Sequence, residues 1–313
     1  MKTAKTLKTA APKLDVYTRV TEKIIASLEA GTRPWQKPWS APESSGRGVM
    51  PLRANGTPYR GINVLLLWGE AMDKGYNRNT WMTYKQAEGF GAQVRKGEKG
   101  SMVVYADRAT TTETDDKGEK VERAFAFMKA YTVFNVEQID GLPERFLVTQ
   151  AEPAQDKLQM FAAAEAFFER TGAKFRHGGN RAFYTTGGDF IQLPPLQAFC
   201  DAESYTATKA HELIHWTGHS ARMAREFGKR FGDQAYAFEE LVAELGSAFL
   251  CAGLGITPDV REDHAAYLAS WLRVLKEDKR AIFSAAAHAQ RAADFLEGLQ
   301  ERGEVSAEQL EPA

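Results

Sequence analysis

The run His211-Glu212-Leu213-Ile214-His215 constrains this chain more than any other stretch of it. It lies in a segment of helical periodicity, residues 203–217, and on a helix positions i and i+4 stand one above the other. Both imidazoles can therefore face one ion, while Glu212, rotated by one position, projects beside it. H-E-x-x-H on a helix is the pattern of a catalytic zinc site, in which the Glu takes a proton from a water and later returns it. Such a site needs a third protein ligand from elsewhere in the chain, with the fourth position left open.

A second helical run, residues 235–253, offers that ligand. Glu240 and Glu244 are four apart and share a face, with Leu241, Leu245 and Phe249 as apolar neighbours. The segment Glu-Leu-Val-Ala-Glu resembles the E-x-x-x-D element of gluzincins. The resemblance implies Glu240 as third ligand and Glu244 as the acid that orients a ligating histidine. Glu239 reads as part of a solvated acidic stripe. His219 competes as a ligand, because Gly218 stands where metzincins place a glycine. It comes two residues early, however, and on a continued helix it would lie about 12 Å along the axis from His211. His177, His264 and His288 have no ligand pattern. Tyr184, Tyr205 and Tyr236 are candidates to steady an oxyanion. Zn²⁺ is the expected ion, and Mn²⁺ suits the same donors. The strand expected within residues 187–194 reads as an edge on which a peptide substrate can add.

The net charge of −1 conceals an asymmetry. Residues 1–100 hold 17 Lys/Arg against 8 Asp/Glu, whereas residues 151–313 hold 17 against 24. A basic front and an acidic back suggest a polyanion partner for the front alone. The front also interleaves rings with cations: Trp35, Lys37, Trp39, Arg53, Tyr59, Arg60, Trp81, Tyr84, Lys85, Arg95, Lys96 and Lys99. Rings on which bases stack, beside cations that track phosphates, are what single-stranded DNA requires. Packing inside a core is the competing explanation for the tryptophans.

With 313 residues, two domains are expected. Residues 1–12 read as a disordered tail. Residues 13–145 read as a small α+β domain with helices near 15–30, 62–73 and 84–89 and a β-hairpin at 101–112 and 121–136. A linker is placed at 146–153, and residues 154–303 read as a helix-rich zincin-like (gluzincin) domain, followed by a tail at 304–313. The fold class is α+β. Apolar runs such as residues 64–68 are far too short to span a bilayer, and the basic N-terminal segment lacks the apolar centre of a secretory signal. Cys200 and Cys251, in apolar surroundings and without a CxxC partner, read as buried free thiols of a reducing compartment. A cytoplasmic protein without a membrane partner is expected.

Residues 24–39 (IIASLEAGTRPWQKPW), 58–68 (PYRGINVLLLW), 81–99 (WMTYKQAEGFGAQVRKGEK) and 134–143 (FNVEQIDGLP) resemble the N-terminal domain of ArdC-type antirestriction proteins. A related module occurs at the front of some plasmid primases. HELIHWTGHSARM and AFEELVAELGSAFL, in the back half, resemble the metallopeptidase domain of the same family. What the resemblance implies is a plasmid-borne protein that binds single-stranded DNA and protects incoming DNA from host restriction endonucleases during conjugation. The alternative is a DNA-guided metalloprotease, acting on a DNA-associated protein or a restriction enzyme, in which proteolysis is the main activity. A nuclease fits poorly, because phosphodiester cleavage uses carboxylate-rich two-metal sites.

Overall fold

The structure is a computed structural model and describes residues 15–35, 50–114, 120–147, 157–227, 233–256 and 264–308. Helix α1 (Val16–Glu29) starts where Asp15 accepts a hydrogen bond from the Thr18 amide and buries Val20, Ile24 and Leu28. The i, i+4, i+8 spacing of those three places them on one stripe. Strand β1 (Leu52–Arg53) leads to α2 (Ile62–Lys74), whose C-terminus is closed by Gly75 in the left-handed conformation, φ 69°. Strand β2 (Thr80–Met82) is followed by α3 (Tyr84–Gly89), begun by a reciprocal capping box between Thr83 and Gln86. Then come β3 (Gln93–Val94), the two long strands β4 (Ser101–Thr114) and β5 (Lys120–Asn135), and β6 (Ile139–Asp140).

The front sheet runs β1-β2-β5-β4, with β1 and β2 parallel and the other pairs antiparallel. β4 and β5 form the expected hairpin, in register from Ser101↔Val133 to Thr114↔Lys120. Its base packs into the core through Val103, Val104 and Val133. A separate small core, built from Met82, Ala87, Ala92, Val94, Val136, Ile139 and Leu142, supports α3 and the β3–β6 pair.

The back half comprises α4 (Lys157–Arg170), strands β7 (Phe175–His177), β8 (Phe183–Thr185) and β9 (Phe190–Leu193), then α5 (Ala202–Thr217), α6 (Gln234–Gly253), α7 (His264–Glu277) and α8 (Ala281–Glu308). β9 lies in the middle of its sheet, parallel to β7 and antiparallel to β8. It is therefore not the edge that residues 187–194 suggested. β7 and β8 are the edges, because a half-buried sequence pattern does not say how many neighbours a strand has.

The two halves share one continuous core, from Val20 and Leu28 on α1 and Val64–Leu67 on α2 to Leu213, Leu241, Trp271 and Leu296 behind them. Helices α5 and α6 are the most deeply enclosed. Every residue of α5 from Tyr205 to Thr217 is buried, polar ones included. Buried polar groups must find partners, and those partners define the site. Among the described residues, no helix is long and apolar enough to cross a membrane. Cys251 is buried as expected, whereas Cys200 is exposed just before α5. The expected tails lie wholly or partly outside the described residues, as does most of the linker.

Candidate metal centre

Close approach of α5 and α6 creates the site. Gly246 faces Ile214, and a Cβ there would come within 2.9 Å of Ile214 Cδ1, so only glycine lets the helices pack at this distance. Across the contact, one ligand atom from each of His211, His215 and Glu240 lies within 4.8 Å of the others. All three side chains are buried. Glu240 Oε2 stands 3.5 Å from His211 Nε2, and its Oε1 stands 3.5 Å from His215 Nε2. That is longer than a good N–H···O bond. It is close to the roughly 3.4 Å edge of a tetrahedron whose bonds are about 2.1 Å. The donor set therefore fits a divalent ion. Glu212, one position from His211 on α5, is 5 % exposed and carries no part of the three-residue ligand set.

Each of the two histidines has its own carboxylate behind it. His215 Nδ1 lies 3.1 Å from Glu239 Oε1. Arg225 grips the same carboxylate, through Nε to Oε2 at 2.9 Å and Nη2 to Oε1 at 2.8 Å. Glu239 is thus no solvated acid, contrary to the sequence expectation. It is 3 % exposed and orients His215. Arg225 reaches it because the chain folds back after Gly218, where a Cβ would strike Phe227 at 2.6 Å. His211 Nδ1 faces Glu244 Oε2 at 3.8 Å and has no hydrogen-bond partner. Glu244 in turn accepts from Trp35 Nε1 at 3.2 Å, and Arg33 lies 3.9 Å from the same oxygen.

The electrostatics ask for a cation. Burial lowers the pKa of His215, but the hydrogen bond to Glu239 and the facing Glu240 carboxylate outweigh it and raise the imidazole to about 10. Burial also opposes ionisation of Glu240, yet the two histidines hold its carboxyl far below the usual range. A proton on His215 and a divalent ion at the Nε2 atoms are alternative answers to the same negative field.

His219 falls beyond the end of α5, where its Nδ1 accepts from the Ala221 amide at 3.1 Å, and it is not among the clustered ligands. Of the three tyrosines, Tyr205 bonds His177 at 2.9 Å and Tyr184 donates to Asp189 at 2.9 Å. The Tyr236 hydroxyl meets that of Tyr267 at 3.2 Å, and burial first, then that contact and the charge of Glu240, push its pKa well above the ordinary phenol value.

The front residues divide sharply. Trp35, Tyr59 and Trp81 are 3 %, 3 % and 1 % exposed, so they are packing residues and offer no face to a base. Trp35 sits edge-on to Trp271, and Trp81 edge-on to Tyr76. Arg60 pairs with Asp294, and Arg95 is tied to Glu98 at 2.9 Å and Asp140 at 3.4 Å, bracing the turn at Gly97. Arg53, Tyr84, Lys85, Lys96 and Lys99 are exposed. Lys37 and Trp39 lie outside the described residues. Two exposed rings escaped the sequence reading, Tyr105 and Tyr131 on the hairpin, at 51 % and 37 %. Strand alternation was the available signal, but the hairpin's base is buried on both faces and blurs it.

Comparison with known proteins matches this architecture. The family described as the N-terminal domain of anti-restriction factor ArdC matches residues 14–134, and the zincin-like metallopeptidase family matches residues 162–288. A crystal structure of the antirestriction protein ArdC from the R388 plasmid, metal-free, is 48 % identical with a TM-score of 0.76, covering 92 % of this chain and 99 % of that one. A Mn(II)-bound structure of ArdC from the same plasmid gives a TM-score of 0.72, covering 91 % of this chain and 98 % of that one at 48 % identity. The protein y4eC of Sinorhizobium fredii is 41 % identical over 93 % of this chain and 95 % of its own length. The DNA primase TraC of Escherichia coli is 40 % identical over 97 % of this chain, which spans 29 % of the primase. With both halves matched in order and nearly the full length aligned, the chain belongs to the ArdC family of antirestriction proteins.

Proposed function

We propose that this protein binds single-stranded DNA through its exposed front surface, protects incoming plasmid DNA from host restriction endonucleases, and hydrolyses peptide bonds at a Zn²⁺ or Mn²⁺ centre. The observation that carries the enzymatic part is the buried set His211, His215 and Glu240, with the buried acid Glu212 next to His211 in the same helix and outside that set. When bound, the ion supplies Lewis-acid polarisation of a carbonyl and lowers the pKa of water. The chain's own residues do the rest. Glu239 holds the His215 imidazole and Glu244 faces that of His211, Glu212 takes and returns a proton, and Tyr236 is the tyrosine we assign to a developing oxyanion. β8 is an edge strand that packs against α5, and it is where a peptide strand would add.

The DNA-binding part rests on the exposed Lys85, Lys96, Lys99, Arg53 and Tyr84, joined by Tyr105 and Tyr131. Because Trp35 and Trp81 are buried, the surface to alter is the lysine set. The test is plasmid transfer into a restricting recipient, comparing wild type with Glu212→Gln and with a Lys85→Ala/Lys96→Ala/Lys99→Ala triple. Loss of protection in Glu212→Gln, with metal content and DNA affinity retained, makes proteolysis part of the function. Full protection by Glu212→Gln, with failure of the lysine triple, assigns protection to DNA binding alone. Wild-type affinity for single strands in the triple overturns the proposed surface.

A further inference from the structure

A four-residue stretch of the front half, residues 32–35, reaches into the back half. Pro34 is buried, with its Cβ 3.6 Å from where a Cβ on Gly69 of α2 would stand. The Trp35 ring is held edge-on to Trp271 of α7, with centroids 5.9 Å apart. The indole is thereby fixed with its N–H directed at Glu244 Oε1, 3.2 Å away and buried. Arg33 approaches the same oxygen at 3.9 Å, with its side chain 12 % exposed. The two carboxylate oxygens are thus divided. Oε1 faces the front segment, and Oε2 faces His211 Nδ1 at 3.8 Å.

We propose that Trp35 and Arg33 are positioning residues of the metal centre: by holding Glu244 Oε1 they direct Oε2 to His211, so that the front half of the chain sets the affinity of a site in the back half. This rests on the reading of His211, His215 and Glu240 as metal ligands. An acid at Nδ1 keeps the proton on that nitrogen and leaves the Nε2 lone pair for the ion. Glu239 does this for His215 with Arg225 as its anchor. For His211 the equivalent anchor is Trp35 with Arg33. The indole N–H is a donor only, so it occupies Oε1 and cannot itself accept from His211, which leaves Oε2 as the acceptor that faces Nδ1. A carboxylate released from that donor loses a fixed rotamer, and His211 loses the acid that faces its Nδ1 at 3.8 Å. Removing an outer partner of a ligating histidine typically costs about 10–100-fold in metal affinity.

The experiment is a chelator-competition titration of Zn²⁺ into the full chain, for wild type, Trp35→Phe, Glu244→Gln and the double variant. Phenylalanine keeps a ring against Trp271 and removes the N–H together with the smaller ring of the indole, so the double variant separates loss of the donor from loss of packing. Trp35→Phe is expected to weaken Zn²⁺ binding about tenfold, at the lower end of that range. The double variant is expected to bind like Glu244→Gln alone, because both act through one carboxylate. Unchanged affinity in Trp35→Phe overturns the proposal. Losses that multiply in the double variant also overturn it, since they mark general loosening of the core. If Trp35→Phe does not fold, the cycle of Arg33→Met with Glu244→Gln reads the same oxygen and carries the same two outcomes. A wild-type chain that takes up no metal overturns both this proposal and the metallopeptidase reading. Metal affinity that follows the cycle in a chain without peptidase activity upholds this proposal and overturns only the other.

Discussion

His211 and His215 sit one turn apart on α5, and their supports differ in origin. His215 is held by Glu239, which Arg225 grips with two nitrogens, and all three residues come from a span of 24 positions or fewer in the back half. His211 is backed by Glu244, whose other oxygen is taken by Trp35, 209 positions away. The first support is closed, short-ranged and fully ion-paired. The second is longer, rests on a neutral indole N–H, and leaves His211 Nδ1 at 3.8 Å from its acid. A local support forms whenever α5, its following loop and α6 form. The distant one exists only when the front segment docks. The ligand nearer the start of α5 therefore reports on the union of the two halves, and the other does not.

Arg225→Met breaks the comparison most severely. It leaves Glu239 buried without its cation, and loss of one partner of a buried pair costs about 3–5 kcal/mol. Urea unfolding should show a loss of that size. Arg33→Met should cost far less, because Glu244 keeps the Trp35 N–H. Equal losses would show that the supports are equivalent.

Metal uptake should shrink the difference between the supports by fastening both histidines to one ion. Saturation at about 100 times Kd adds about 2.7 kcal/mol of stability. The melting temperature should therefore fall on chelation and recover with Zn²⁺ or Mn²⁺. Glu239→Gln and Glu244→Gln should each reduce that increment. A melting temperature indifferent to chelators and to added metal would remove the site's contribution altogether.

Gly246→Ala tests what the two supports share. The added methyl meets Ile214 and pushes α5 from α6, at a cost of about 1–3 kcal/mol. Because Glu240 lies on the displaced helix, metal affinity should fall alongside stability in the same titration. A stable variant with normal affinity would mean that the helices adjust without moving Glu240.

The smallest effect concerns a half-exposed analogue of the Arg225–Glu239 pair. Arg222 donates to Asp189 at 3.0 Å through Nη1, and that hydrogen bond, with others, lowers the carboxyl from 3.8 to about 2. A depressed folded-state pKa contributes stability that is present above 3.8 and lost as pH falls through about 2. Asp189→Asn should therefore flatten the acid limb of a stability-versus-pH curve and change little at neutral pH, since exposed pairs contribute modestly. An unchanged acid limb would place that dependence in the buried carboxylates.

Much of this molecule is written locally. H-E-x-x-H on a helix, the i, i+4 pair Glu240 and Glu244, and the capped bounds of α1, α3 and α5 depend on residues a few positions apart. Hydrophobic period and capping chemistry report such relations directly. The hairpin at 101–112 and 121–136 followed from alternation for the same reason.

What the tertiary structure alone decided is which polar and aromatic residues face inward. Trp35, Tyr59 and Trp81 have the composition of a nucleic-acid surface yet are buried. An aromatic ring beside a cation suits a stacked base and a packed core equally well. Glu239 looked solvated because its partners, His215 and Arg225, lie on another helix and a returning loop. The central position of β9, the exposure of Cys200 and the indole behind Glu244 follow likewise from contacts between distant segments. The sequence by itself determined which residues can hold the ion. Only the packing of α5 against α6 and the returning loop at Arg225, and of the front segment against Glu244, decided which residues stand behind the two histidines, because that choice depends on burial, and burial is a property of the assembled chain.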